Sequence, residues 1–194
     1  MDNIISLEKK LIEKAIKGDE ESFESLILSC KGKAYNIALR YVGNKDDALD
    51  ILQDSFIKVF RSLPNFKGDS RFETWVYRIV VNTCKDFIRK ETSKPKSDSI
   101  YHEYKEEEYI IDIKDNDDGP EEKIMQNELG NYIIKCLNKL KEEQKEILIL
   151  RDIQGFSYEE IAKILNCNIG TVKSRIARSR NALRKIYISN KQKD

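Results

Sequence analysis

Histidine occurs once in the 194 residues, as His102, and proline three times. One histidine excludes Ser–His–Asp and Cys–His arrangements and HExxH zinc sites, which leaves an enzyme only carboxylates or lysines to work with. Three prolines and eight glycines are too few for the many turns of a β-sandwich. Cys30, Cys84, Cys136 and Cys167 lie far apart with no C-x-x-C pair, so neither a zinc knuckle nor a redox motif is written. Each reads as a small buried hydrophobe. There is no glycine-rich phosphate loop. No apolar run approaches the roughly 20 residues that cross a bilayer, and Met1-Asp2-Asn3-Ile4-Ile5-Ser6 lacks the basic-then-apolar start of a signal peptide. These absences predict a soluble, cytoplasmic protein.

Charge, by contrast, is abundant: 36% of residues are charged and 40% hydrophobic, with a formal net charge of +1. The balance hides segregation. Residues 1–90 carry 16 basic and 14 acidic side chains, residues 91–128 carry 5 and 13, and residues 129–194 carry 14 and 7. Blocks of opposite sign along one chain indicate different partners for different blocks. The middle block, with Glu106-Glu107-Glu108 and Asp115-Asn116-Asp117-Asp118-Gly119-Pro120, can bury little apolar surface. The pattern predicts an all-α fold of two small helical domains, residues 1–92 and 129–190, joined by a flexible acidic linker over 93–128. That linker is either a solvated spacer or an acidic strand that occupies a basic channel on a partner.

Leu7, Leu11, Ile12, Ala15 and Ile16 keep helical spacing up to Gly18-Asp19, and residues from Phe23 to Tyr41 continue it to Gly43-Asn44. Ala48, Ile51, Leu52, Ser55, Phe56, Val59, Phe60 and Leu63 form a third apolar stripe, stopped by Pro64. Asp47, Asp50 and Asp54 lie on its opposite side with Gln53 nearby, a face either simply solvated or docked on a basic partner helix. Ser70-Arg71-Phe72-Glu73 has the form of a capping box and predicts the start of a fourth helix. Phe72, Val76, Ile79, Val80, Thr83 and Phe87 make its core side. At about 100° per residue, Arg71, Trp75, Arg78, Asn82, Lys85 and Arg89 share one narrow stripe on the other side. Cations interleaved with the only tryptophan and an asparagine suit single-stranded nucleic acid, because cations follow phosphates, an aromatic face stacks on an unpaired base and an amide reads a base edge. Phe66 and the loop before the helix are placed to hold an extruded base. The competing reading packs Trp75 on the previous helix and leaves the cations solvated; the stripe alone does not choose.

Further on, Leu137, Leu140, Ile147, Leu148 and Leu150 predict one or two amphipathic helices. Ser157-Tyr158-Glu159-Glu160 is a second S-x-x-E start, leading through Ile161, Ala162, Ile164 and Leu165 to a turn at Asn166-Cys167-Asn168. Asn168 is the expected N-cap of the next helix. Two short helices, a three-residue turn and the small Ala162 where helices approach closely spell a helix-turn-helix. Ile169, Val172, Ile176 and Leu183 are expected to point inward, and Lys173, Ser174, Ala177, Arg178 and Asn181 outward. Lys or Arg can donate to guanine O6 and N7, Ser can bond several base edges, and Ala is small enough to meet a thymine methyl. Thr171, Arg175, Arg180, Arg184 and Lys185 flank that face and suit phosphates. A basic packing helix is the alternative, and cap, turn and both faces together favour duplex DNA.

These segments, in this order, resemble the extracytoplasmic-function (ECF) group of bacterial sigma factors, the initiation subunits of RNA polymerase. Asp47-Ala48-Leu49-Asp50-Ile51-Leu52-Gln53-Asp54-Ser55-Phe56 is similar to the family's D-A-E-D-x-x-Q-E-x-F helix, with Leu49 in an acidic position and Asp54 for Glu. Phe72-Glu73-Thr74-Trp75-Val76-Tyr77-Arg78-Ile79-Val80-Val81-Asn82 is similar to F-x-T-W-L-Y-R-I-A-x-N, and Ser157 through Arg180 to S-Y-E-E-I-A…G-T-V-K-S-R…R-x-R. The resemblance implies that Asp47, Asp50, Gln53 and Asp54 dock on core RNA polymerase, at the β′ clamp helices, with the β flap as a further contact. It implies that Phe66, Trp75, Tyr77, Arg78, Asn82 and Lys85 open and capture the minus-ten element. Lys173, Ser174, Ala177 and Arg178, with Thr171, Arg175 and Arg180, would read the minus-thirty-five element. It further implies regulation by an anti-sigma factor, no catalytic set, no metal or cofactor, no small-molecule substrate and no membrane insertion. A regulator that binds duplex DNA alone shares the helix-turn-helix but leaves the Trp75–Asn82 stripe unexplained, and a carboxylate-based enzyme lacks any pocket motif.

Overall fold

The computed structural model describes residues 2–93, 130 and 132–191. The acidic linker expected over 93–128 lies, after its first residue, outside the described residues, as does His102. Among the described residues every regular element is helical.

The N-terminal half comprises α1 (Asp2–Ile16), α2 (Glu20–Val42), α3 (Lys45–Ser62) and α4 (Phe72–Ser93). Their ends follow from local chemistry. The backbone of Gly43 has φ +82°, and its N–H donates to the Leu39 carbonyl at 2.9 Å, closing the last turn of α2. Asn44 then caps α3: its Oδ1 accepts from the Asp47 N–H at 2.7 Å and its amide donates to the Asp47 carboxylate. Pro64 lies in a 3₁₀ turn, Leu63–Asn65, that terminates α3. The start of α4 differs from expectation. Ser70 is not its cap; its hydroxyl donates to the Arg71 carbonyl at 3.2 Å, and the free N–H of Phe72 is taken by Oε1 of Glu8, from α1, at 3.1 Å. A carboxylate at that position also complements the positive end of the helix.

Packed against α1, α3 and α4, α2 is the centre of this half. It buries Cys30, Ala34, Ile37 and Ala38, small enough in three of four places to let neighbouring helices come close. Ile51 and Val59 from α3 and Phe72, Val76, Val80 and Cys84 from α4 complete the core.

In the C-terminal half, a helix at residues 132–138, here α5, is followed by α6 (Glu142–Leu148). A π-helical turn, Ile149–Ile153, extends α6, and Gly155, with φ +71°, turns the chain after it. Next come α7 (Tyr158–Ile164) and α8 (Ile169–Lys191). The Ser157 box forms as expected: its hydroxyl accepts from the Glu160 N–H at 3.1 Å, and Glu160 Oε2 accepts from the Ser157 N–H at 2.8 Å. Asn166 turns the chain with φ +51°, a conformation asparagine tolerates. Asn168 Oδ1 accepts from the N–H and the hydroxyl of Thr171 at 2.7 and 2.9 Å.

The halves are in contact. The buried apolar cluster includes residues from Ile12 in α1 to Ile176 in α8. Along it, α4 packs on α7 and α2 on the π-helical turn. The ring of Phe156 lies 5.2 Å from that of Tyr77, and the Lys33 ammonium stands 3.9 Å over it.

Candidate nucleic-acid interface

The helix-turn-helix presents the surface read from sequence. Lys173, Ser174, Ala177, Arg178 and Asn181 are exposed along α8, and Thr171 and Arg175 are half-buried beside them. Val172 and Ile176 are buried, with Leu183 packed against the same core. Ile169 departs from expectation: in the first turn of α8 it is 39% exposed. Ser179 takes a core position instead, 2% exposed, three residues beyond Ile176. Several polar groups on this face are already engaged. Thr171 is held by Asn168, the Ser174 hydroxyl donates to the Thr171 carbonyl at 3.0 Å, and Arg178 Nε donates to the Ser174 carbonyl at 3.2 Å. Arg180 makes a two-pronged pair with Asp152, Nε to Oδ2 at 3.1 Å and Nη2 to Oδ1 at 2.5 Å. That hydrogen-bonded pair raises the guanidinium pKa further, and it ties α8 to the end of the π-helical turn.

Arg71, just before α4, and Arg78, Asn82 and Arg89 on it are exposed in one line. Trp75 is half-buried at the start of this line, its ring 5.0 Å from Phe66 and 5.9 Å from Phe72, with Phe66 and Phe72 6.0 Å apart. These three rings form a small aromatic platform beneath the loop after α3. Phe66, Trp75, Arg78 and Asn82 are thus brought to one surface. Tyr77 is not. Two residues beyond Trp75, it lies about 200° around the helix, 3% exposed against Phe156. Burial pushes its hydroxyl pKa well up. Lys85, at the edge of the stripe, pairs across to the C-terminal half with Glu146 at 2.5 Å.

Glu146 is a residue that sequence reasoning missed. It is 2% exposed and accepts a hydrogen bond from the Tyr41 hydroxyl at 3.0 Å, besides the Lys85 pair. Its neighbour Lys145 donates to the Tyr41 carbonyl at 3.1 Å, and burial lowers the Lys145 pKa from 10.5 to about 8. A signal existed: a carboxylate three and four residues before Ile149 and Leu150 lies in the apolar row of its helix.

On α3, Asp50, Gln53 and Asp54 are exposed, whereas Asp47 is half-buried and engaged in the Asn44 cap. The apolar stripe of this helix is only partly core. Phe60, expected inside, is 51% exposed with its ring edge-on to Phe23 at 5.1 Å. With Phe56, Ile57, Leu49 and Leu52 it lines a shallow apolar groove beside Gln53. The exposure of Leu49 and Ile57 was legible, since both fall outside the core stripe.

No group of three or more potential metal ligands occurs among the described residues, and no described helix is long and apolar enough to cross a membrane. Cys30 and Cys84 are fully buried thiols whose pKa values burial pushes up to about 12, which leaves them inert as nucleophiles.

A capped helix-turn-helix with a basic outer face, packed beside a helical bundle with an aromatic and cationic stripe, defines the class: an all-α nucleic-acid-binding protein of two modules. Family models agree on both modules. Residues 26–94 match sigma-70 region 2 and residues 130–183 match sigma-70 region 4. The chain is 36% identical to the ECF RNA polymerase sigma-E factor of Haemophilus influenzae, over 91% of this chain and 93% of that one. It is 34% identical to the RNA polymerase sigma-H factor of Pseudomonas aeruginosa, over 92% of both. In three dimensions it is similar to the sigma factor RpoE of Bartonella quintana, solved in complex with the anti-sigma factor NepR. The TM-score is 0.65 and the identity 28%, over 86% of this chain and 96% of that one. The chain belongs to the ECF group of the sigma-70 family, a family of transcription initiation factors.

Proposed function

We propose that this sigma factor binds core RNA polymerase in the cytoplasm, brings it to promoters and opens the DNA there, with residues 1–92 and 129–190 as the two working units and 93–128 as the acidic connection. The observation that carries the reading is the pair of cationic faces on separate modules, one built for a duplex and one for unpaired bases. Lys173, Ser174, Ala177 and Arg178 face bases of the minus-thirty-five element. Arg175 follows the phosphates, and Thr171 and Arg180 act as positioning residues through Asn168 and Asp152. On α4 the Phe66–Trp75 platform receives an unstacked base of the minus-ten element, Asn82 reads its edge, and Arg78 follows the backbone. Lys85 joins that surface only when the C-terminal half moves off it, and Tyr77, on the opposite side of α4, supports the surface from behind and does not line it. Asp50, Gln53 and Asp54 dock on the β′ clamp helices, with Asp47 shaping the end of that face, and the C-terminal module meets the β flap. An anti-sigma factor, of the kind bound by the Bartonella relative, holds the protein inactive. The polymerase performs the chemistry, so the subunit itself works without catalytic residues, metal or cofactor.

Reconstitution with purified core polymerase tests this. A promoter-dependent run-off transcript, with permanganate-reactive thymines around the minus-ten element, is the expected result. No retention on core enzyme, or no transcript from any member of a promoter library, rejects it.

A further inference from the structure

We infer that Glu8 of α1 is a positioning residue for the minus-ten surface: it fixes the first turn of α4 and, through it, the aromatic platform of Phe66 and Trp75. The inference rests on the reading above of that platform as the receiver of an unstacked base.

The need begins with Arg71. The first intrahelical bond of α4 runs from the Trp75 N–H to the Arg71 carbonyl at 3.2 Å, which makes Arg71 the N-cap residue. That position ordinarily carries a side-chain oxygen that accepts from the free N–H groups of the first turn, and a guanidinium has no acceptor to offer. Arg71 is instead exposed at the head of the line formed with Arg78, Asn82 and Arg89. A Ser or Asp there would cap the helix and withdraw a cation from the phosphates. Glu8 resolves the conflict from outside, since its Oε1 accepts from the Phe72 N–H at 3.1 Å.

Spacing along α1 marks the same residue. Glu8 stands one turn before Ile12, and Ile12 and Ala15 are both buried, so a half-buried carboxylate heads the core-facing row of its helix. Such a group persists where a donor meets it. The donor here belongs to the residue on which the platform rests: Phe72 is 1% exposed, and the rings of Phe66 and Trp75 lie 6.0 and 5.9 Å from its own. The same helix packs on the 3₁₀ turn Leu63–Asn65, whose Leu63 carbonyl accepts from the Phe66 N–H at 3.0 Å. Both ends of the loop over residues 66–71 are thereby referred to α1. Gly68, at φ +75°, meets nothing within 4 Å of where a Cβ would lie, so the loop takes its position from those ends. A base stacks at least cost on rings that are in place before it arrives, and Glu8 keeps them there.

Trp75 is the only tryptophan of the chain, so its fluorescence reports the platform directly in the full-length protein. Glu8→Ala is expected to raise acrylamide quenching of Trp75 about twofold. In reconstituted holoenzyme it should reduce permanganate-reactive thymines, at a promoter drawn from the library, about tenfold, the scale of one weakened stacking contact. Retention on core polymerase and binding to a minus-thirty-five duplex stay within about twofold of wild type, since both involve distant surfaces. Glu8→Gln keeps an oxygen acceptor and holds both platform signals within about twofold of wild type. A double variant separates positioning from capping. Glu8→Ala with Arg71→Ser returns a local cap, which recovers the thermal midpoint but serves N–H groups further along the helix. It leaves α1 untied, so Trp75 stays open to acrylamide. Unchanged Trp75 quenching in Glu8→Ala, the same defect in Glu8→Gln, or recovery of Trp75 protection by the Arg71→Ser cap overturns the positioning role. If the wild-type holoenzyme opens no promoter while the Trp75 signals follow this order, Glu8 still positions the platform and the assignment of that platform to the minus-ten element falls.

Discussion

The two helices proposed to face DNA, α4 and α8, are built in opposite ways. Phe72, Thr74, Val76, Tyr77, Val80, Val81, Thr83 and Cys84 are all buried on α4, so that helix is enclosed around most of its circumference and its DNA stripe is the strip left over. By contrast, α8 buries Val172, Ile176 and Ser179 and shows most of its surface to solvent. The first is placed by the tertiary core, down to an N-terminus capped by Glu8 from another helix. The second is placed by its own turn, through Asn168 and the Ser157 box. A rigid platform suits a base that must be held after leaving the stack; a self-capped helix suits insertion into a groove whose shape already exists.

Perturbing each helix separately sharpens this contrast. The largest effect is expected from Trp75→Ala, which breaks the aromatic platform: about 3 kcal/mol of stability in denaturant melts, together with loss of permanganate-reactive thymines. Asn82→Ala, on the same stripe but exposed, keeps wild-type stability and still loses strand opening; if it melts early as well, the separation of core from stripe on α4 is wrong. Next comes α8. Arg178→Ala or Lys173→Ala is expected to cost about 1–3 kcal/mol in discrimination at the upstream element, read by run-off transcription from altered promoters, with no change in thermal midpoint. Ser157→Ala removes a reciprocal cap and should lower stability by about 1 kcal/mol, visible by circular dichroism; no shift would mean that α7 does not depend on local capping.

The smallest effect expected is the dependence of stability on pH. Burial lowers the Lys145 pKa from 10.5 to about 8, so between those values the unfolded chain binds more protons than the folded one and stability rises with pH. Burial raises Cys30 and Cys84 from 9.0 to about 12, so above pH 9 the unfolded chain loses thiol protons that the folded one keeps, and this opposes the gain. Urea midpoints should climb between about pH 8 and 9 and level or fall above that. Lys145→Met should abolish the climb and leave the fall.

What could be read in advance follows the range of the interactions. The Asn168 cap, the Ser157–Glu160 box, the Gly43-Asn44 break and the stop at Pro64 each involve residues within four of one another, and each formed as the spacing predicted. The Ser70 box had the same spacing and did not form: the helix begins at Phe72, one residue later than a Ser70 cap requires, and the Phe72 N–H is taken by Glu8, 64 residues away. Phe60 fitted the apolar period of α3 yet ends half in solvent, since periodicity states which side of a helix a residue lies on and not how far the neighbouring helices extend over it. Tyr77 differs again: the resemblance grouped it with Trp75, but it lies about 200° around α4 from that ring, where Phe156, 79 positions later, covers it.

Determined by the sequence alone were the all-helical character, the helix-turn-helix with its outward Lys173, Ser174, Ala177 and Arg178 and the cationic stripe of α4, all carried by period, caps and charge that act over one or two turns, while the sigma-70 resemblance rested on the motif residues of three segments taken in order. Tertiary structure alone decided that Glu146 would be buried between Tyr41 and Lys85, that Tyr77 would face the C-terminal half, and that the modules would meet along one seam. Desolvation and ion pairing depend on which surfaces come together, and no short-range pattern encodes that.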